Sequence, residues 1–221
     1  MRYGAVLFDC DGVLVDSEPI TNGVLRDMLA ELGWAMSNEE CMARFIGKAV
    51  KEELEIIEAR TGVRLDAAWE TEFRRRRNEA LAERLQAIPH IHATVQAVHQ
   101  ALDSRIACAS GADLGKVALQ LKKVGLIGWF EGRIFSGYDT PRSKPFPDVY
   151  LAAAAALGVD PRHCAVVEDT VTGVTAGVAA GATVFGFCPD GPGRSTAASL
   201  QAAGATTTFT AMDELPALLR L

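Results

Sequence analysis

No stretch of this chain approaches the roughly 20 consecutive apolar residues that a membrane-spanning helix needs, so a helical membrane protein is excluded. Metal-binding cysteine pairs are also missing. Cys10, Cys41, Cys108, Cys164 and Cys188 are scattered without a CxxC, and His90, His92, His99 and His163 show no ligand spacing either. Positive charge is scarce: 22 Lys and Arg against 28 Asp and Glu leave a net charge of -6, which argues against nucleic acid as the main partner. No apolar leader with a cleavage pattern opens the chain, so a soluble, cytoplasmic protein with reduced, buried thiols is expected.

What is there is an ordinary globular composition, 49% hydrophobic and 23% charged, in 221 residues, enough for one large or two modest domains. Short apolar runs recur as "AVLFD", "RIACAS", "CAVVED" and "ATVFGF". Continuous rather than alternating hydrophobicity fits strands buried on both faces, as in a parallel sheet. Helical patterns lie between them. Residues 113–124 line up Leu114, Val117, Leu121 and Val124 behind Asp113 as N-cap, and residues 146–157 have proline near the start and Gly158 past the end. The expectation is a doubly wound, Rossmann-like α/β core.

One block breaks the alternation. Residues from about 20 to 85 read as helices throughout: about 21–32, one opening at Ser37 with Glu40 in capping-box spacing, roughly 48–60 ending at "TG", and one from Asp66. The proline-containing links "VDSEP" and "QAIPH" bracket this block. The organisation expected is a core of residues 1–16 and 87–221 with an inserted helical cap, residues 17–86, in the position of an active-site lid. Arg74 to Arg77 lie on one of its helices, where four successive arginines spread around the axis and form a mostly solvated face.

The chemistry is concentrated at apolar strand ends. Asp9 and Asp11 follow "AVLF" two residues apart, so strand alternation would aim both side chains the same way, with Gly12 allowing a sharp turn. A buried carboxylate costs several kcal/mol unless compensated, so such a pair points to a metal, a catalytic role, or both. Glu168 and Asp169 end a second strand, and the two acidic strand ends together can build an all-oxygen Mg²⁺ site. Ser110 and Gly111 close the strand "RIACAS" in a setting suited to an anion, and Lys144 stands in "SKPFPD" before a helix.

In this order, the elements resemble the haloacid dehalogenase superfamily. "FDCDGVLVDSE" is similar to its first motif, "ACASG" to its second, "SKPFPDVY" to its third and "VVEDTVTGVTAGVAAG" to its fourth, and the helical block is similar to the family's smaller cap. The resemblance implies a phosphoric monoester hydrolase. Asp9 would be the nucleophile and Asp11 the acid and base; Ser110, Gly111 and Lys144 would hold the phosphoryl group. Mg²⁺ would be held by Asp9, Asp11 and Asp169 with Glu168 nearby.

An acid at Asp11 favours phosphoryl transfer over the dehalogenase branch, whose halide leaving group needs no proton. A β-phosphoglucomutase-like enzyme is disfavoured: mutase relatives usually carry histidine where Thr21 stands and a "GxSR"-like stretch where this chain reads Gly47-Lys48-Ala49-Val50. The expected activity is Mg-dependent hydrolysis of a small phosphorylated metabolite, a sugar phosphate or a sugar acid such as 6-phosphogluconate. Phosphoglycolate and a non-catalytic module are weaker alternatives. Glu18 and Lys48 are the cap-side candidates for substrate contact, and a monomer is expected.

Overall fold

Six strands lie side by side in the order β3-β2-β1-β4-β5-β6, and every neighbouring pair is parallel. They are β1 (Ala5–Phe8), β2 (Ile106–Ser110), β3 (Ile134–Ser136), β4 (Cys164–Glu168), β5 (Thr183–Phe187) and β6 (Thr207–Phe209). The computed structural model describes residues 3–45, 50 and 53–221. Helices α1 (Glu18–Glu31), α2 (Asn38–Phe45), α3 (Leu54–Thr61) and α4 (Ala67–Arg84) follow β1, and α5 (Ile91–Ala101) leads into β2. The remaining helices alternate with strands: α6 (Leu114–Lys123), α7 (Asp148–Ala156), α8 (Val171–Ala179), α9 (Ala197–Ala202) and α10 (Leu215–Leu219). The doubly wound parallel sheet expected from the apolar runs is the observed fold.

The chain divides into two compact units. One comprises Met1–Asp16, Gln86–Asp190 and Arg194–Leu221; the other comprises Ser17–Leu85 and Gly191–Gly193. In the sheet unit, Ala5, Leu7, Ala107, Ala109, Val166 and Val184 pack on Val149, Tyr150, Ala153, Val174 and Ala176 from α7 and α8. Residues of opposite parity face the other way, and Phe8 meets the Phe130 ring edge-on at 6.1 Å. Both faces are therefore apolar, which is why these strands show no polar alternation in sequence. Ala153 and Ala154 of α7 lie buried in that apolar layer.

In the helical unit, Leu25, Met28, Leu29, Cys41, Phe45, Ile57, Leu65 and Phe73 form a separate core. The local signals act as read. Ser37 and Glu40 exchange backbone and side-chain bonds at 2.7 and 3.1 Å, and Asp66 accepts from Trp69 N at 2.9 Å. Gly62 ends α3 with φ 72°, where a side chain would be strained. The helix expected over 48–60 is described only from Leu54; residues 48, 49, 51 and 52 lie outside the described residues. Arg75 and Arg76 pair with Glu72, Glu79 and Glu31, and Arg74 pairs with Glu70. Arg77 departs from the solvated face: it is buried, with its guanidinium 5.9 Å from the Phe73 ring centre.

No helix among the described residues is long and apolar enough to cross a membrane. All five cysteines are free and buried, and burial pushes the Cys41 and Cys164 thiols up to about 11. Thiolate is the reactive form, so the native protein should react negligibly with a thiol reagent such as DTNB, and all five cysteines should titrate after denaturation. Rapid modification of the folded protein would contradict this packing.

Candidate active site

Strand β1 lies between β2 and β4, where the chain's winding direction reverses. In open α/β sheets the crevice at that point, beyond the carboxyl ends of the strands, is where ligands bind. The register matches Phe8 with Cys108 on one side and Val167 on the other, so Asp9, Ser110 and Glu168 emerge from three adjacent strands at one edge. Asp9 is fixed further by its backbone N–H, which donates to Val167 O at 3.0 Å.

Lys144, on the segment between β3 and α7, reaches this edge. Its Nζ donates to Asp9 Oδ1 at 2.6 Å and Glu168 Oε1 at 2.7 Å, and its side chain is only 8% exposed. Glu168 is the most enclosed carboxylate. Oε1 also accepts from Tyr150 Oη at 2.8 Å, while Oε2 accepts from Asp169 N, Thr170 N and Thr170 Oγ1 at 3.0 to 3.1 Å. Five donors thus occupy its two oxygens, which makes Glu168 an anchor for Lys144 and leaves little room for a further ligand. Gly173 makes this placement possible, because a Cβ there would stand 1.7 Å from Glu168 Oε1.

Burial pushes Asp9 up to about 7, a rise opposed by Lys144 and reinforced by Glu168 and Asp11. Burial also opposes the charge on Lys144, but Asp9 and Glu168 outweigh it and hold the ammonium well above its ordinary value. Lys144 therefore stays charged. Removing it would leave two buried carboxylates facing one another.

Asp9, Glu168 and Asp169 present carboxylate oxygens within 4.8 Å of one another. Gly12, at φ 82°, passes so close that a Cβ would fall 2.0 Å from Asp169 Oδ2. With Glu168 already taken up by its five donors, the hard oxygens left for Mg²⁺ are those of Asp9 and Asp169, beside a residue without a side chain, and their chemistry fits that ion. Arg194, which the sequence reading missed, brings a guanidinium 3.6 Å from Asp169 Oδ2 and binds Asp16 at 2.6 Å.

Asp11 takes other partners. The strand ends at Phe8, and Val13, Leu14 and Val15 N all bond to Cys10 O beyond it. Asp11 accepts from Lys116 and Gln120 on α6. Ser110 is 1% exposed and its Oγ accepts from Ala112 N at 3.1 Å, with Gly111 following at the strand end. Glu18 belongs to the helical unit, where it accepts from Asn22 Nδ2 at 2.8 Å. Lys48 lies outside the described residues.

Lys116, Gln120, Tyr150 and Arg194 were not singled out from the sequence. The first two carry a signal in retrospect, since they stand on the face of α6 that also presents Val117 and Leu121. Leu114, expected on that stripe, is instead exposed at 43%.

A family profile described as haloacid dehalogenase-like hydrolase matches residues 3–181. The chain belongs to this family. Among curated haloacid dehalogenase-like relatives, the 6-phosphogluconate phosphatase of Escherichia coli (strain K12) is 33% identical over 219 residues, 98% of this chain and 95% of that protein. Among solved structures, a conserved haloacid dehalogenase-like protein of Agrobacterium tumefaciens str. C58 superposes with a TM-score of 0.85 at 33% identity, covering 99% of this chain and 98% of that one. A haloacid dehalogenase family hydrolase of Deinococcus radiodurans R1, solved with bound phosphate and sodium, gives a TM-score of 0.82 at 34% identity, covering 99% of this chain and 95% of that one. This chain is thus a hydrolase of the family, and the resemblance read from its four motifs holds.

Gly173→Ala should force Glu168 out of its five-donor seat and unsettle Lys144. The expected result is a loss of about 2–4 kcal/mol of stability, measured by denaturant unfolding. A change below about 0.5 kcal/mol would show that the carboxylate shifts freely.

Proposed function

We propose that the protein is a Mg²⁺-dependent phosphatase that hydrolyses a small phosphorylated metabolite through an aspartyl-phosphate, with a sugar or sugar-acid phosphate as substrate. The observation that carries the reading is Asp9 itself, a buried carboxylate held 2.6 Å from Lys144 at the switch point, beside the Asp169 carboxylate. A 33% identity across 98% of the chain to an enzyme named for 6-phosphogluconate supports the substrate class.

The roles follow from the chemistry of each group. Asp9 Oδ attacks phosphorus, the bond to the leaving oxygen breaks, and Asp11 gives that oxygen its proton. Water then attacks the aspartyl-phosphate, Asp11 takes the water's proton, and inorganic phosphate leaves with Asp9 regenerated. Lys144, Ser110 and the Gly111 backbone N–H hold the phosphoryl oxygens, and Lys144 also reduces repulsion between those oxygens and Asp9. Glu168 keeps Lys144 in place. Asp9, Asp169 and the Asp11 backbone carbonyl would hold Mg²⁺, which when bound offsets negative charge on the transferring group.

The test is phosphate release from a panel of phosphorylated metabolites that includes 6-phosphogluconate and β-glucose 1-phosphate, with Mg²⁺ and with EDTA. Release should concentrate on a few sugar or sugar-acid phosphates and vanish with EDTA. Conversion of β-glucose 1-phosphate to glucose 6-phosphate in place of release would make the enzyme a mutase. Asp9→Asn should lower turnover by at least about 10³-fold with the fold intact by circular dichroism, and near-normal turnover would refute the nucleophile assignment.

A further inference from the structure

Asp11 lies just beyond the end of β1, in an isolated bridge with Val15. Three contacts hold its side chain. Lys116 Nζ donates to both carboxylate oxygens, at 2.8 and 2.9 Å, and Gln120 Nε2 donates to Oδ1 at 2.7 Å. The two donors stand one helical turn apart on α6, which is capped by Asp113 accepting from Lys116 N at 2.9 Å. Gln120 is itself oriented, because its Oε1 accepts from Cys10 Sγ at 3.5 Å.

Lys116 is 7% exposed and Gln120 fully buried. A lysine and a glutamine at buried helix positions cost free energy unless their polar ends are paired, and here both polar ends converge on one carboxylate. The segment around Asp11 and α6 are thereby tied to each other by polar contacts.

We propose that Lys116 and Gln120 are positioning residues for proton transfer, which act on turnover only through the Asp11 carboxyl that they aim. The proposal rests on the reading of Asp11 as the group that moves protons. Misplacing a reacting group by about 1 Å can cost on the order of 10²-fold. Loosening Asp11 should therefore harm departure of a poor leaving group such as a sugar alkoxide, which needs a proton. Departure of p-nitrophenolate, which needs none, should be spared.

The experiment compares Lys116→Met, Gln120→Met and Lys116→Arg, each alone and combined with Asp11→Asn, on 6-phosphogluconate and p-nitrophenyl phosphate with Mg²⁺. Lys116→Met is expected to lower kcat on 6-phosphogluconate about 10–100-fold with KM changed less than about threefold. It should retain a pre-steady-state burst of p-nitrophenol, and Lys116→Arg should recover part of the loss. In the Asp11→Asn background, Lys116→Met should add less than about twofold, since residues acting as one unit are not additive. Gln120→Met should repeat this pattern, and serves if Lys116→Met does not fold.

Unchanged turnover in both methionine variants would overturn the proposal, as would an equal further loss in the Asp11→Asn background or loss of the burst with the steady state. If the unmodified protein shows no Asp9-dependent phosphate release, the phosphatase reading falls and this inference with it. Asp9-dependent release combined with additive losses defeats the positioning role alone.

Discussion

Lys144 sits buried between Asp9 and Glu168, and the site depends on that ammonium. Asp9, Glu168 and Asp169 crowd buried carboxylate oxygens within 4.8 Å of one another at the carboxyl edge of a parallel sheet, where like charges shielded from water repel strongly. Without a cation inside the cluster, protonation or unfolding would be the only relief. Lys144 provides that charge from outside the strands, and its own cost of burial is offset because it touches two carboxylates at 2.6 and 2.7 Å.

The arrangement around it follows from that need. Glu168 is saturated by Lys144, Tyr150 and the start of α8, so it serves as a fixed counter-charge. Glycine at position 173 keeps α8 close enough for those bonds, and glycine at position 12 clears room beside Asp169. The parallel topology contributes the rest, since β1, β2 and β4 must deliver their ends to the same edge wherever the winding reverses.

A second cation, Lys116, pairs with the other aspartate near the end of the first strand. Asp9 is held with Lys144 and Asp11 with Lys116 and Gln120, so two carboxylates two residues apart occupy different electrostatic settings. Environments that differ in this way allow identical side chains to take different chemical parts.

The apolar runs, the caps at Ser37, Asp66 and Asp113 and the stop at Gly62 were legible because each depends on neighbours within a few residues. Asp9, Ser110, Lys144, Glu168 and Asp169 were legible as strand-end or loop groups in a particular order. Lys116, Gln120, Tyr150 and Arg194 were not legible in this way. Their partners are distant in sequence: 105 residues separate Lys116 from Asp11, and 178 separate Arg194 from Asp16. Sequence alone determined strands β1, β2, β4 and β5, their parallel arrangement and the residue types at their carboxyl ends, because local periodicity and turn chemistry encode them; the short edge strands β3 and β6 were not read from it. Only the tertiary structure decided which cation faces which carboxylate, because that pairing is set by how strands order in the sheet and by which helix face they bury.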